Sequence, residues 1–228
     1  MAIELSNHLK STVMNHGLLT IGLKISLENI GRRFNRDWIF RGLSYVFDDH
    51  QSYGILGPNG SGKSTLLQIL TGSLSPSAGK INYSLNGGPV DAESVYKHLS
   101  FAAPYQELIE EFTLDEMIDF HFRFKKYGPG LDKQAITELL GLHSSRHKPI
   151  RYFSSGMKQR TKLALAFCAD TPMLMLDEPT SNLDNQGIDW YLSLAGQFTA
   201  NRLTIICSNQ QHEYGFCNQL VNIADYKS

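Results

Sequence analysis

An α/β fold with a mixed, mainly parallel sheet is predicted by three observations. A short apolar strand, Ser52–Leu56, runs into a glycine-rich loop and then into a helical segment, Leu66–Leu70. A second apolar run, Met173–Leu176, ends in two acids, Asp177 and Glu178. Between them, from Phe112 to about Leu165, apolar residues recur at helical spacing behind clear caps.

The loop is the most specific of the three. Gly57-Pro58-Asn59-Gly60-Ser61-Gly62-Lys63-Ser64-Thr65 fits G-x-x-x-x-G-K-[ST]. Its glycines let the backbone wrap so that successive N–H groups point inward at a phosphate, and the helix that follows adds the partial positive charge of its N-terminus. Lys63 is placed to reach the β- and γ-phosphates of a nucleotide, and the Ser64 hydroxyl to complete the shell of a Mg²⁺ ion.

Upstream, Ile25–Ile30 alternates like a strand, and Trp38–Phe40 and Leu43–Phe47 read as two more, split by Gly42. Together they predict a small antiparallel region. Residues 1–23 contain an apolar stretch, Gly17–Leu23, that is too short for a signal-peptide core, lies beyond a polar stretch and has no small-residue cleavage site. They read as an N-terminal extension, with the folded domain spanning 24–228. Downstream of the loop's helix, Pro76–Gly79 has turn chemistry, Lys80–Tyr83 reads as a strand and Gly87–Pro89 as a loop.

The helical region, about 105–165, opens on a capping box, Thr113-Leu114-Asp115-Glu116, with Phe112 and Met117 placed to form its staple. Met117, Phe120, Phe124 and Tyr127 then recur at helical spacing; core packing is the simpler explanation of that stripe, a partner groove the alternative. A second helix, Asp132–Leu140, is stopped by Gly141, and the basic segment His143–Arg151 reads as a solvated loop. Ser154 and Ser155 are good N-cap residues for the next helix.

The acids after Met173–Leu176 lie at the carboxyl edge of a buried strand. In a parallel sheet the glycine-rich loop emerges at that same edge. Asp177 is suited to hold Mg²⁺, directly or through a water, and Glu178 to orient or deprotonate an attacking water.

Composition narrows the rest. The chain of 228 residues has a net charge of −1, from 21 basic and 22 acidic side chains, so a broad nucleic-acid footprint is not expected. Cys168, Cys207 and Cys217 lack metal-type spacing and read as small hydrophobes in a reducing compartment. No apolar run approaches the roughly 18 residues needed to cross a bilayer.

With these motifs in order, residues 24–228 resemble the nucleotide-binding domain of the ATP-binding cassette (ABC) superfamily. Gly57–Thr65 resembles its Walker A loop, Phe153–Arg160 its signature motif, Asp177–Thr180 its Walker B with catalytic glutamate, and Ser181–Asp184 its D-loop. The resemblance implies a P-loop NTPase core with an N-terminal antiparallel β region and an inserted α-helical subdomain. It implies ATP and Mg²⁺ as cofactors, and Phe34 as the aromatic that stacks on adenine, with Trp38 as the fallback. It also implies pairing with another such domain, as homodimer or heterodimer. In that dimer Ser154, Ser155, Gly156 and Asp184 serve the partner's nucleotide.

Three motifs depart from the family pattern. The signature reads Phe-Ser-Ser-Gly-Met, with Phe153 for leucine and Ser155 for glycine. The glutamine expected on Mg²⁺ falls near Pro104; either the loop is shifted, with Gln106 as the candidate, or the glutamine is absent. The switch histidine is replaced by Asn209, which can hydrogen-bond a γ-phosphate but cannot take up a proton near neutral pH. His212 compensates only if its loop bends.

ATP·Mg²⁺ binding is therefore expected to be intact, and hydrolysis slow or dependent on a partner. The leading functional expectation is the ATPase subunit of a transporter whose membrane-spanning permease subunits are separate chains, cytoplasmic and peripheral on the inner face of the membrane. A soluble non-transport ABC ATPase and a nucleotide-gated module with weak hydrolysis are the alternatives.

Overall fold

The computed structural model describes residues 22–227. Residues 1–21, which hold nearly all of the expected extension, and Ser228 lie outside the described residues. Regular structure starts inside the predicted extension: β1 (Leu23–Phe34) begins at Leu23, which pairs with Leu85.

β1 alternates at its start, burying Leu23, Ile25 and Leu27. β2 (Asp37–Phe47) pairs with it as one strand rather than the two predicted. The apparent break at Gly42 is a bulge: Ile30 pairs with Leu43 and Arg32 with Phe40, so Arg41 and Gly42 together oppose Gly31.

From β3 (Ser52–Leu56) the chain passes through the glycine-rich loop into α1 (Lys63–Leu70), then β4 (Ala78–Leu85) and β5 (Gly88–Val90). β5 lies where a loop was predicted. Asn86 and Gly87 both have positive φ (51° and 81°), the geometry of a two-residue hairpin turn, and fold the chain back on β4. The antiparallel sheet has the order β2-β1-β4-β5.

The second sheet is parallel, in the order β6 (Leu99–Ala102), β7 (Met173–Asp177), β8 (Leu203–Cys207), β3, β9 (Gln219–Asn222). β7 and β8 are buried along their whole length, as strands covered on both faces must be. α1 buries Leu66, Leu67, Ile69 and Leu70 in the core that joins the two sheets.

The helical region holds α2 (Leu114–His121), α3 (Lys133–Leu140) and the start of α4 (Ser155–Phe167). The capping box is present in full: Thr113 Oγ1 accepts from Glu116 N–H (3.3 Å), and Glu116 accepts from Thr113 N–H (2.8 Å). Asp132 caps α3, and Gly141, at φ 64°, ends it. α2 stops well short of Tyr127, because tertiary bonds pull the chain out of the helix. The Lys125 ammonium donates to the carbonyls of Tyr96 and Leu99, and Gly128 N–H donates to Cys168 O (2.7 Å).

Of the predicted stripe, Met117, Phe120 and Tyr127 pack into the local core, whereas Phe124 is 72% exposed. The basic segment is anchored rather than free, with Ile150 buried and its N–H on Phe112 O (2.8 Å). After β7 come α5 (Asn185–Phe198) and, after β8, the short α6 (Gln211–Tyr214). Trp190 on α5 donates to Leu139 O (2.9 Å), and the Arg160 guanidinium lies 4.7 Å from its ring centroid, tying α3, α4 and α5 together.

Thr113→Ala removes the reciprocal cap and is expected to cost about 1 kcal/mol. The thermal midpoint should fall by about 2–4 °C, with no loss of strand signal in circular dichroism.

Candidate functional site

Four strands of the parallel sheet deliver their carboxyl ends to one edge. The glycine-rich loop leaves β3, Glu178 follows β7, Ser208 and Asn209 follow β8, and Tyr105 lies just beyond β6. The register keeps them together, since Cys207 pairs with Ile55 on one side and Asp177 on the other. An open cleft of about 290 Å³ lies there, lined by Asn59, Gly60, Gly62, Lys63, Ser64 and Thr65 with Ile39 and Glu178.

Lys63 is 5% exposed, and its ammonium donates to Gly57 O (2.6 Å) and Pro58 O (3.3 Å). The cation is thus held inside its own loop by carbonyl dipoles. Gly62 has φ 100°, and a Cβ there would lie 2.6 Å from Ile39 Cγ2, so the loop closes against β2 only with glycine at this position. Ser61, 1% exposed, fills the loop's interior beneath Gly57, while Pro58 and Thr65 complete the turn and the first helical turn.

Asp177 lies behind the cleft, 2% exposed, facing the Ser64 hydroxyl and the Tyr105 phenol. Burial pushes its carboxyl above the usual range, opposed by Ser64. Its Oδ1 is buried without a hydrogen-bond partner. An orphaned carboxylate oxygen beside a hydroxyl is a donor set that suits a hard divalent cation such as Mg²⁺.

Gln106 does not share this position. It is exposed, at the end of a turn closed by its own N–H on Ala103 O (3.2 Å), and the side chain turned toward Asp177 is that of Tyr105. The Tyr105 hydroxyl also faces Gln68, and burial together with the Asp177 charge raises it to about 12. Lys162, 7% exposed, fixes this turn by donating to Ala103 O and Pro104 O (both 2.9 Å). Spacing alone could not separate residue 105 from 106, because a one-residue shift in a turn redirects the side chain.

Glu178 lines the cleft with φ 40°, a left-handed backbone strained for a non-glycine residue. Asn209 Nδ2 donates to Asn59 Oδ1 (2.8 Å), joining the loop after β8 to the phosphate loop. His212 does not turn into the cleft; its Nε2 lies 3.0 Å from Thr180 Oγ1.

Phe34 is 68% exposed at the end of β1, while the Trp38 ring lies over the Gly31 backbone and beneath the Arg33 guanidinium (5.9 Å). Trp38 is therefore engaged, whereas Phe34 is exposed among the described residues. Ile39, which alternates with Trp38 to the cleft side of β2, was not singled out from the sequence.

The signature residues lie elsewhere. Ser154 caps α4 by accepting from Met157 N–H (3.2 Å), Ser155 takes the first helical position and Gly156 packs against Asn182 O. Ser155 has no left-handed backbone to strain, so the side chain in place of glycine costs nothing there. Asp184 caps α5 by accepting from Gly187 N–H (2.8 Å). Among the described residues, none of these four lines the cleft.

Comparison with known proteins decides the family. The ABC transporter family model matches residues 40–181. The chain belongs to the ABC transporter family. This ABC chain is 32% identical over 165 residues to the cytochrome c biogenesis ATP-binding export protein CcmA of Rhizobium meliloti, covering 71% of this chain and 79% of that one. It is 34% identical to the Nod factor export ATP-binding protein I of a Rhizobium species, covering 70% of this chain but 54% of the relative. A bacterial ABC transporter cassette solved as a dimer shares the fold, with a TM-score of 0.72 at 19% identity, over 88% of this chain and 95% of that one.

Gly62→Ala forces a side chain into the left-handed region against Ile39, and is expected to destabilise the cassette by about 1–3 kcal/mol. Urea unfolding checks it, through a midpoint shift at unchanged slope.

Proposed function

We propose that this chain is the ATP-binding and ATP-hydrolysing subunit of an ABC transporter, pairing head to tail with a second cassette around ATP and driving separate membrane-spanning subunits. The observation that carries this reading is the division of the site. Lys63, Ser64 and Glu178 share one cleft, with Asp177 directly behind, while Ser154, Ser155, Gly156 and Asp184 stand outside it. The exposed N-terminus of α4 is a ready partner for the γ-phosphate of a nucleotide held by a second copy.

In this reading the loop residues Gly57–Thr65 wrap the phosphates and Phe34 stacks on adenine. Ser64 and Asp177 would hold Mg²⁺, with Tyr105 in the place expected of Gln106. When bound, Mg²⁺ offsets the negative charge on the β- and γ-phosphates. Glu178 accepts a proton from water as the water oxygen bonds to the γ-phosphorus and the bond to the β–γ bridging oxygen breaks, releasing ADP and phosphate.

Asn209 donates a hydrogen bond but shuttles no proton, so turnover by the free cassette is slow. The relatives named as export ATP-binding proteins and the dimeric cassette support a membrane partner and a paired state. Among the described residues no helix is long and apolar enough to cross a membrane, in keeping with a peripheral position on the inner face.

Glu178→Gln should accumulate an ATP-bound dimer, seen by size-exclusion chromatography with light scattering; a monomer at high concentration with saturating ATP would overturn the sandwich. The unmodified cassette without a partner should turn over well below about 10 s⁻¹. Asn209→His should raise that rate by about tenfold or more in a phosphate-release assay.

A further inference from the structure

Glu213 is 1% exposed, on α6 beyond the switch loop. Among the described residues no cation forms an ion pair with it. Its Oε1 accepts instead from the Thr180 backbone N–H (2.6 Å) and from the Thr180 hydroxyl, and its Oε2 is buried without a partner. A carboxylate placed there is costly, because charge is taken from water with only neutral donors in return. Since the Thr180 proton goes to Glu213, Thr180 Oγ1 has a lone pair left for His212, whose Nε2 at 3.0 Å must carry the hydrogen. The hydrogen bonds therefore run in one direction, from His212 through Thr180 to Glu213.

What this chain holds is the turn that carries Glu178. Thr180 lies two residues beyond Glu178, whose backbone is left-handed at φ 40° and needs its surroundings to keep it there. Glu178 N–H donates to Cys207 O (2.9 Å), and Ser181 N–H closes the turn on Glu178 O (3.0 Å). Gln159 of the signature helix donates to Pro179 O (2.8 Å), and Tyr191 of α5 donates to Glu213 O (2.7 Å), fixing α6 from behind.

The segment bearing Glu213 also touches the phosphate loop, through Asn209 and Asn59. Residues 209–213 thus form a strap with one end on the phosphate loop and the other on the catalytic turn.

We propose that Glu213 is a positioning residue for Glu178, acting through Thr180 to hold the left-handed turn, and that the strap it anchors joins that turn to the phosphate loop. This rests on Glu178 being the proton acceptor, as above. Glu213 is buried and does not line the cleft, so its action passes through Thr180.

The test is single-turnover ATP hydrolysis with full-length cassette in excess, alongside nucleotide affinity by a fluorescent ATP analogue. Glu213→Ala should lower the hydrolysis rate by about 10- to 100-fold while nucleotide affinity changes by less than about twofold. Glu213→Gln keeps the accepting oxygen and should recover most of the rate; Thr180→Val, which loses only the hydroxyl, should fall between.

A Glu213→Ala rate within about twofold of the unmodified cassette, or a rate loss matched by an equal loss of affinity, would overturn the proposal. Should Glu213→Ala fail to fold, amide exchange in Thr180→Val and Glu213→Gln decides the matter. Protection at 178–183 should fall in the valine variant and persist in the glutamine variant, with α1 unchanged in both; unchanged protection in the valine variant defeats the proposal. If the unmodified cassette binds no ATP, the function proposed above fails, while the exchange measurement still judges the grip of Glu213 on the turn.

Discussion

The parallel pairing of β3, β8 and β7 is the constraint on which the rest of the structure depends. Each strand ends in a different working segment, and only in-register pairing brings Ile55, Cys207 and Asp177 level at one edge. A slip of one residue would turn every side chain to the opposite face and carry Asp177 away from Ser64. β7 and β8 are buried along their whole length, so a slip would have to repack both of their faces at once. The antiparallel sheet matters to the site mainly through β2, which presents Ile39 to the cleft and leaves room for Gly62.

Of the five buried charged side chains among the described residues, three belong to the cleft and the turn beside it, Lys63, Asp177 and Glu213, each held in a different way. Lys63 is solvated by the carbonyls of its own loop, an arrangement that an incoming phosphate can replace with a stronger, ionic one. Asp177 keeps one oxygen orphaned beside the Ser64 hydroxyl, so the site is electrostatically incomplete where the proposed cation would bind. Glu213 uses its charge on backbone and hydroxyl donors, and so serves rigidity rather than exchange. Two of the three are thus poised for ligand and one for the frame around it.

Much of this was legible in the sequence where the signal is local. The glycine-rich loop, the capping box at Thr113, the Asp132 and Gly141 caps and the acids ending β7 all act within a few residues of themselves. Legibility failed where a distant partner decides. α2 ends at His121 because Lys125 and Gly128 find acceptors on other segments, and no periodicity encodes those. Tyr105 rather than Gln106 faces Asp177 because Lys162, from a helix far along the chain, sets the turn. Trp38 and Phe34 look alike as stacking candidates until the Gly31 backbone beneath Trp38 is seen. The Asn86–Gly87 hairpin is a different kind of miss, since its dipeptide was a readable turn signal.

The loop after β8 meets the phosphate loop through Asn209, an amide, rather than through a titrating side chain. An amide donating to an amide, Asn209 to Asn59, makes a link between the two loops that carries no proton and is indifferent to pH near neutrality. Among the described residues lining the cleft, Glu178 is then the one acid, and no imidazole shares its task. In the proposed reaction Glu178 is the single proton acceptor, so its geometry becomes the point of control, and its left-handed backbone is strained for a glutamate. The buried carboxylate on Thr180, the carbonyl of Cys207 and the amide of Gln159 converge on that one turn from three different elements. In that reading the acceptor's orientation depends on this support, which lies in the same strap that carries the asparagine.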